Sequence, residues 1–303
     1  MTRYLFILLV VVSAFVSPAL ALFGGVVFAL LFENPFGKAS KKVSKYLLQA
    51  AVIGLGFGLN LNKAIETGRE GLLFTIISVS GVMLLGYLLG RCFKTPSRLS
   101  YLISSGTAIC GGSAIAAISP IVKADNNETS ISLIVIFTLN AVALFVFPPI
   151  GHALGLTQHQ FGLWAAIAIH DTSSVVGAGA TYGSEALNVA TTVKLTRALW
   201  IIPLSLVSLL FFKSDNRRIS FPWFILLYVL AMVISTYIPL PVTLLKAISI
   251  ASHKSLSVTL FLIGSTLTIS AVKTAGIKPV LFGLSLWLII LFTSLFTIIY
   301  LWK

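Results

Sequence analysis

The sequence contains 303 residues, of which 57% are hydrophobic and only 10% are charged, with a mean hydropathy of +1.02. A water-soluble domain is about half apolar and about a quarter charged, so this composition excludes a soluble enzyme and indicates a polytopic membrane protein. The net charge of +13 does not indicate a nucleic-acid-binding protein, because the basic residues interrupt apolar stretches instead of gathering in one patch.

Apolar stretches of about 20 residues, the length that crosses a bilayer, follow one another along the chain. Near the amino terminus, Pro18 divides the apolar sequence into two short predicted spans. The alternative for residues 1–22 is a signal peptide with Ala19-Leu20-Ala21 as its cleavage site. Further spans are predicted at residues 45–61, 71–89, 98–122, 129–154, 161–182, 187–212, 221–237, 255–272 and 280–301. The short segment 241–251 is predicted to be interfacial or to join the span that follows it.

The fold class predicted from this pattern is an all-α polytopic membrane protein, with about eleven transmembrane helices in a single domain over residues 1–303. The loops place 13 basic residues on one side of the membrane and six on the other. Because the side richer in Lys and Arg stays in the cytoplasm, the amino terminus is predicted to be cytoplasmic.

An internal repeat is found when the chain is shifted by 208 residues, which lays residues 55–74 over residues 263–282. The aligned identities are Gly56 with Gly264, Leu59 with Leu267, Gly68 with Gly276, and Leu73-Phe74 with Leu281-Phe282. An odd number of predicted crossings separates the two copies, which predicts the inverted repeat found in many secondary transporters. The alternative is chance similarity between two apolar segments.

The fifth predicted span contains small and hydroxylic residues where a lipid-facing helix would be apolar. Its glycines each weaken a helix by about 1 kcal/mol relative to alanine; they are Gly106, Gly111 and Gly112. Nearby hydroxyls can bond the backbone groups that an interruption frees; they belong to Ser104, Ser105, Thr107 and Ser113. The pattern predicts a broken helix whose exposed amides favour an anion. The alternative is close packing of helices through small residues.

The seventh predicted span places His170 and Asp171 about half-way along an apolar stretch. A carboxylate at the centre of a bilayer costs about 2.5 to 3.5 kcal/mol on insertion scales, so it marks a candidate functional site. A neighbouring His and Asp are able to exchange protons near neutral pH. We therefore expect this pair to couple transport to an ion, and the alternative is a hydrogen-bonded packing network.

The eighth predicted span carries Lys194 and Arg197, which lie three residues apart and therefore on one face of a helix. Cations at this depth must face water, a ligand or each other to be tolerated. Balancing the charge of an anionic substrate is the predicted role. The alternative is a structural ion pair between Asp171 and one of the two cations.

Three segments, GTAICGGSAIAAISPIVKA, IHDTSSVVGAG and VKLTR, resemble the YeiH-type family of bacterial inner-membrane proteins, which are often called sulfate exporters. The likeness covers nearly the whole chain, although the first span is shorter than in that family. The resemblance implies a location in the bacterial inner (plasma) membrane and a transporter fold akin to bile-acid and cation-antiporter proteins. That fold contains inverted repeats and interrupted helices. Carried over by position, the matching residues are Cys110, Gly111, Lys123, His170, Asp171, Lys194 and Arg197.

These features together predict a secondary transporter, and not an enzyme, that exports a small anion such as sulfate or an organosulfonate, bound near mid-membrane between the broken fifth and seventh helices. A proton, or as second choice sodium, is the predicted coupling ion, with His170 and Asp171 carrying the coupling. The predicted substrate-binding residues are Ser105, Gly106, Thr107, Cys110, Gly111, Gly112, Ser113, Thr172, Ser173, Lys194 and Arg197.

No phosphate-binding loop of the form GxxxxGK[ST] occurs in the sequence, so ATP is not expected to drive transport. The predictions include no cofactor, no metal and no nucleic-acid partner; the lipid bilayer is the expected surrounding, and a homo-oligomer is left open. The alternative function is an integral membrane enzyme that uses Cys110, or His170 with Asp171, as nucleophile or general base. A passive channel would need a continuous polar stripe, which the sequence lacks.

Overall fold

A computed structural model describes residues 2–212, 223–266 and 276–301, and within them the regular secondary structure is α-helical. In chain order the helices are α1 Thr2–Ser13, α2 Pro18–Leu31, α3 Gly37–Gly56, α4 Leu61–Cys92, α5 Ser97–Ala108, α6 Gly112–Ile118, α7 Asn126–Ala153, α8 Gln158–Ala168, α9 Thr172–Tyr182, α10 Ser184–Ala198, α11 Ile201–Phe212, α12 Trp223–Tyr237, α13 Val242–Gly264 and α14 Ile277–Leu301. The predicted all-α class is confirmed for these residues.

Several stretches of the described chain have the length and apolar character needed to cross a membrane. Five of them qualify on both grounds, namely Thr75–Cys92, Asn127–Ala153, Ser184–Phe212, Val242–Gly264 and Ile277–Tyr300. Large apolar side chains are also turned outward, since Leu210, Phe211 and Ile77 are 72% to 80% exposed. Such a surface is expected where lipid replaces water, so the polytopic membrane character is confirmed. The predicted total of about eleven crossings stays a prediction.

The described residues form two compact units. The first unit consists of residues 2–66 and 223–266, and the second consists of residues 67–212 and 276–301. The second unit contains both predicted broken helices and the helix with the two buried cations, and therefore holds the candidate site.

In the first unit, glycines let helices approach one another closely. A Cβ built on Gly264 of α13 would lie 2.6 Å from the carbonyl oxygen of Leu22 in α2. A Cβ on Gly56 of α3 would likewise lie 2.8 Å from the carbonyl oxygen of Tyr228 in α12. Real Cβ atoms do not come this close, so a glycine is required at both contacts.

Helix boundaries in the first unit confirm one sequence prediction and decide between two alternatives of another. Helix α2 begins at Pro18 with Ser17 as its N-cap, as the predicted division required. Helix α13 runs unbroken from Val242 to Gly264, so segment 241–251 joins the following span; the predicted end of that span at residue 272 lies outside the described residues. Lys246 and Lys254 are exposed on that continuous helix.

The aligned glycines of the predicted repeat, Gly56 and Gly264, both stand at the carboxyl end of a helix. Gly68 lies inside α4, whereas Gly276 precedes α14 with a φ of 80°. Residue Leu267 of the alignment lies outside the described residues.

In the second unit, helices α8 and α9 pack against α10 through glycines as well. A Cβ on Gly162 would lie 2.8 Å from Val189, and a Cβ on Gly179 would lie 2.9 Å from Leu187. Helix α14 also contacts the end of α8, because the indole of Trp287 donates to the carbonyl oxygen of Ala168 at 2.9 Å. These contacts fix the position of the α8 carboxyl end.

Candidate functional site

The fifth predicted span is interrupted at residues 109–111, which we call the first break. Helix α5 ends at Ala108 and α6 begins at Gly112. Gly111 has φ 66° and ψ −124°, a backbone conformation that is costly for any residue with a side chain. The interruption predicted from the glycine-rich sequence is therefore confirmed, and Gly111 is the residue that permits it.

The seventh predicted span is interrupted at residues 169–171, which we call the second break. Asp171 is the N-cap of α9, where its carboxylate accepts hydrogen bonds from the amides of Ser173 at 3.0 Å and Ser174 at 3.3 Å, and from the Ser173 hydroxyl. A carboxylate in this position offsets the positive end of the helix dipole. The membrane-embedded acid is thus stabilised by the helix that it begins.

The two breaks meet within the second unit. A Cβ built on Gly111 in the first break would lie 3.4 Å from the Cα of Asp171 in the second, and 3.3 Å from Ile136 of α7. The interrupted helices therefore cross where both have lost their regular hydrogen bonding. This crossing brings the carboxyl ends of α5 and α8, and the amino ends of α6 and α9, into one region.

Lys194 of α10 caps the carboxyl end of α8. Its ammonium donates to the carbonyl oxygen of Ile169 at 2.7 Å and to that of Ala166 at 3.3 Å, and the side chain is fully buried. The carboxyl end of a helix carries a partial negative charge and unbonded carbonyls, so a cation there is favourable.

Arg197, one turn further along α10, caps the carboxyl end of α5. Its Nε donates to the carbonyl oxygen of Ala108 at 2.7 Å. The side chain is fully buried, yet its terminal nitrogens Nη1 and Nη2 have no hydrogen-bond partner among the described residues. Arg197 is therefore only partly satisfied by the protein, in contrast to Lys194.

Among the described residues, Lys194 and Arg197 donate their hydrogen bonds to backbone carbonyls and not to the carboxylate of Asp171. Both cations nevertheless interact electrostatically with His170. The Cys110 side chain interacts electrostatically with Lys194, Asp171 and Arg197. The charged residues of the breaks and of α10 thus form one electrostatically connected group.

Asn140 of α7 reaches into the second break. Its Oδ1 accepts a hydrogen bond from the backbone amide of His170 at 2.9 Å, which leaves its Nδ2 buried and without a partner. Both ring nitrogens of the fully buried His170 also lack a partner in the described part of the chain. No hydrogen bond joins the imidazole to Asp171, so the predicted proton exchange between them would need a water molecule or a change of conformation.

The predicted hydroxyl ligands fall into different surroundings. Thr107 is buried and its hydroxyl has no partner within the described residues. Ser105 is buried but donates to the carbonyl oxygen of Leu102 at 2.9 Å, while Thr172 and Ser173 are half-buried. Ser113 is exposed. The crossing therefore has a buried part next to α10 and a more accessible part at the start of α9.

Other predicted residues of the fifth span differ in their surroundings. Gly106 packs against Ile115 and Gly112 against the ring of Phe137. Cys110 is buried in the first break as a free thiol. Lys123, carried over from the family resemblance, is exposed in the turn after α6, with a φ of 54°, and does not join the group around the breaks.

Two indole hydrogen bonds between α8 and α14 were not predicted from the sequence. Trp287 binds the carbonyl of Ala168, and Trp164 donates to the carbonyl of Leu291 at 3.2 Å. A tryptophan in an apolar helix needs an acceptor for its N–H, which was the available signal. The amide side chain of Asn140 in an apolar span likewise indicated a need for a hydrogen-bond partner, but the sequence did not identify that partner.

The described residues contain no group of three or more His, Cys, Asp or Glu side chains that could hold a metal ion. The crossing of the two broken helices instead contains two cations and several hydrogen-bond donors.

Comparison with known proteins finds relatives along almost the whole chain. The family described as conserved hypothetical protein 698 matches residues 4–283. A UPF0324 membrane protein of Bacteroides thetaiotaomicron is 55% identical over 285 residues, which cover 93% of this chain and 86% of the relative. A UPF0324 membrane protein of Vibrio vulnificus is 44% identical over 297 residues, which cover 96% of each chain. No solved structure matches.

Proposed function

Because the chain belongs to the UPF0324 family of membrane proteins, which is the YeiH-type family that its motifs resemble, we propose that it is a secondary transporter of a small anion. The proposed substrate is sulfate or an organosulfonate, exported across the bacterial inner membrane, with the amino terminus in the cytoplasm. In this proposal the protein is not an enzyme, and the buried Cys110 is not a nucleophile.

The main support for the proposal is that the buried guanidinium of Arg197 is only partly hydrogen-bonded by the protein. A buried guanidinium with two unbonded nitrogens is costly, because each unpaired charged donor loses the hydrogen bonds it had in water. An anion bound beside it would supply both charge and acceptors, and guanidinium forks suit oxyanions. Binding at the crossing of two broken helices is also how many secondary transporters hold their substrates.

Contacts in the first unit support the inverted repeat that such transporters use. The repeat pairs α2 with α12 and α3 with α13 by position. If the two copies are related by a two-fold axis, a contact of α2 with α13 requires a matching contact of α12 with α3. The glycine contacts of Gly264 with Leu22 and of Gly56 with Tyr228 form such a pair. This pair of contacts supports the proposed inverted repeat, and about eleven crossings in one transporter domain are part of the same proposal.

Coupling to a proton, or as second choice to sodium, is assigned to His170 and Asp171. The carboxylate of Asp171 is half-buried at the amino end of α9, while His170 is fully buried beside the two cations. One group is thus nearer to solvent and the other nearer to the proposed anion. Movement of a proton between these two surroundings would change the charge next to the substrate.

The test is sulfate flux in proteoliposomes. Purified protein is reconstituted with internal sulfate, and uptake of labelled sulfate is measured with and without an imposed pH gradient. The native protein is expected to exchange sulfate, whereas Arg197→Ala is expected to reduce exchange at least tenfold. Arg91→Ala is the matched control, because Arg91 is an exposed arginine at the end of α4 that lies over the ring of Tyr87.

Folding of each variant is checked by size exclusion and by circular dichroism, so that loss of flux is not loss of protein. Unchanged exchange by folded Arg197→Ala would contradict the proposed role of Arg197. Absence of exchange by the native protein with sulfate and with sulfonates would contradict the transport function itself.

A further inference from the structure

Four side chains around the two breaks have buried polar atoms that no described residue satisfies. The atoms are Thr107 Oγ1, Asn140 Nδ2, both ring nitrogens of His170, and Nη1 and Nη2 of Arg197. None of these residues is more than 2% exposed. Buried polar groups are nearly always hydrogen-bonded, so a cluster of unsatisfied ones indicates something that binds there.

Two hydrogen bonds to the backbone connect these four residues. Arg197 is anchored through Nε to the carbonyl of Ala108, the residue that follows Thr107. Asn140 is anchored through Oδ1 to the amide of His170, and His170 interacts electrostatically with Arg197. Arg197 and Asn140 are thus each held by one side-chain atom while their terminal nitrogens are left unused, and Thr107 and His170 adjoin these two bonds.

The unused atoms are mostly hydrogen-bond donors. The terminal nitrogens of arginine and the amide nitrogen of asparagine can only donate, and a threonine hydroxyl can donate. The nearby acceptors are already engaged, since the carbonyls of Ala108 and Ile169 bind the cations. The carboxylate of Asp171 likewise accepts from the start of α9. A ligand that fits this set must bring acceptors.

We propose that Arg197, Asn140 and Thr107 are the direct ligands of an oxyanion whose oxygens all accept hydrogen bonds, with His170 adding one ring N–H. This inference rests on the proposed anion transport and names the site and the selectivity of that transport. Asn140 has two functions in it: its oxygen positions the second break and its nitrogen binds the ligand.

The site is expected to select oxyanions over chloride. Sulfate and sulfonates present several acceptor oxygens, which the separate donors of Arg197, Asn140 and Thr107 can bind together. Hydrogen phosphate presents similar oxygens and one proton, which the unprotonated ring nitrogen of His170 or the hydroxyl oxygen of Thr107 can accept. The expected contrast is therefore between oxyanions and chloride.

The test measures binding in detergent, where no transport is needed. Sulfate, methanesulfonate and hydrogen phosphate are titrated at pH 8.5 and constant ionic strength, with chloride as the reference salt, and the thermal stabilisation of the full chain is recorded. Sulfate, methanesulfonate and hydrogen phosphate are expected to stabilise the protein relative to chloride at equal ionic strength.

Two substitutions test the ligands. Thr107→Val removes an unsatisfied hydroxyl, so the unliganded protein should be at least as stable as the native protein while its sulfate affinity falls about tenfold. Asn140→Asp keeps an oxygen for the amide of His170 but replaces the donor with a negative charge, so it should lose sulfate binding altogether. Thr95→Val is the matched control, because the Thr95 hydroxyl is also buried and unpartnered but precedes α5.

The assignment is overturned if folded Thr107→Val and Asn140→Asp bind sulfate like the native protein, or if sulfate stabilises the native protein no more than chloride does. Loss of binding in Thr95→Val to the same extent as in Thr107→Val would overturn it as well. Sulfate binding with the expected variant pattern, but without flux in proteoliposomes, would leave the site standing and contradict the transport function alone.

Discussion

The two breaks of the second unit are alike in backbone and different in how their ends are satisfied. At the second break, Lys194 bonds two carbonyls at the end of α8 and Asp171 caps the start of α9. At the first break, Arg197 bonds a single carbonyl at the end of α5, and α6 begins without a side-chain cap. The same helix, α10, supplies both cations.

This difference suggests that one cation stabilises the fold and the other binds the anion. A cation whose donors are used by the protein mainly stabilises the broken helix, whereas a cation with unused donors keeps them for a ligand. We therefore expect Lys194 to act as a structural cap and Arg197 to act as the anion ligand. Substitutions at the two breaks test that division.

Lys194→Met should destabilise the protein more than Arg197→Met does. Removing Lys194 leaves the carbonyls of Ala166 and Ile169 buried and unbonded, at a cost of about 2 to 3 kcal/mol. Removing Arg197 frees one carbonyl but also removes the unsatisfied nitrogens, so about 1 kcal/mol is expected. Thermal unfolding in detergent measures the order.

The loss of sulfate binding should follow the opposite order, with the larger loss in Arg197→Met. Arg197→Met is expected to abolish the thermal stabilisation by sulfate, and Lys194→Met, if it is folded, is expected to retain part of it. Equal losses of stability and of sulfate response in the two variants would show that the two cations have one common role.

Gly111→Ala should damage the first break itself. Alanine at φ 66° and ψ −124° costs about 1 to 3 kcal/mol, and its Cβ would press on Ile136 and Asp171. Gly155→Ala is the control, since Gly155 has φ 65° with no atom within 4 Å of a built Cβ. The control is expected to lose about 1 kcal/mol and to keep sulfate exchange. If Gly111→Ala also kept native exchange, the geometry of the first break would not matter for transport.

Substitution of Asp171 should have a small effect on stability. Asp171→Ala removes the N-cap of α9 and costs about 1 kcal/mol, whereas Asp171→Asn keeps an acceptor for the amides and costs a few tenths of that. Asp125, which caps α7 at an exposed position, provides the control pair Asp125→Ala and Asp125→Asn.

Measurements of sulfate flux distinguish the helix-capping role of Asp171 from its proposed role in ion coupling. If Asp171 carries the coupling ion, Asp171→Asn loses the acceleration of sulfate flux by a pH gradient while keeping exchange at equal pH. Both Asp125 variants keep the acceleration. A pH-gradient response of native size in Asp171→Asn would remove Asp171 from the coupling step.

Both breaks could be predicted from the sequence because they depend on residue type. A run of glycines weakens a helix wherever it occurs, and a His-Asp pair in an apolar stretch is costly at any point of the membrane. Lys194 and Arg197 were predicted as buried cations for the same reason. These features are local, and the structure confirms their positions.

The partners of these residues could not be predicted, because they depend on packing. Which carbonyl faces Lys194 follows from the contact of α10 with α8, and which amide faces Asn140 follows from the position of α7. Lys123, which the resemblance gives as a matching residue, lies in the exposed turn that follows α6. The sequence left open whether segment 241–251 is interfacial or helical with the following span, because the exposed polar residues of α13 are compatible with both.

The most direct measurement is an anomalous difference map from crystals of the full chain grown with selenate, which has the shape of sulfate and a strongly scattering centre. We expect a selenium peak at the crossing, with the selenate oxygens within hydrogen-bond distance of the Arg197 guanidinium and of Thr107 and Asn140. Selenate found only elsewhere, with Nη1 and Nη2 of Arg197 bonded to protein groups, would contradict it.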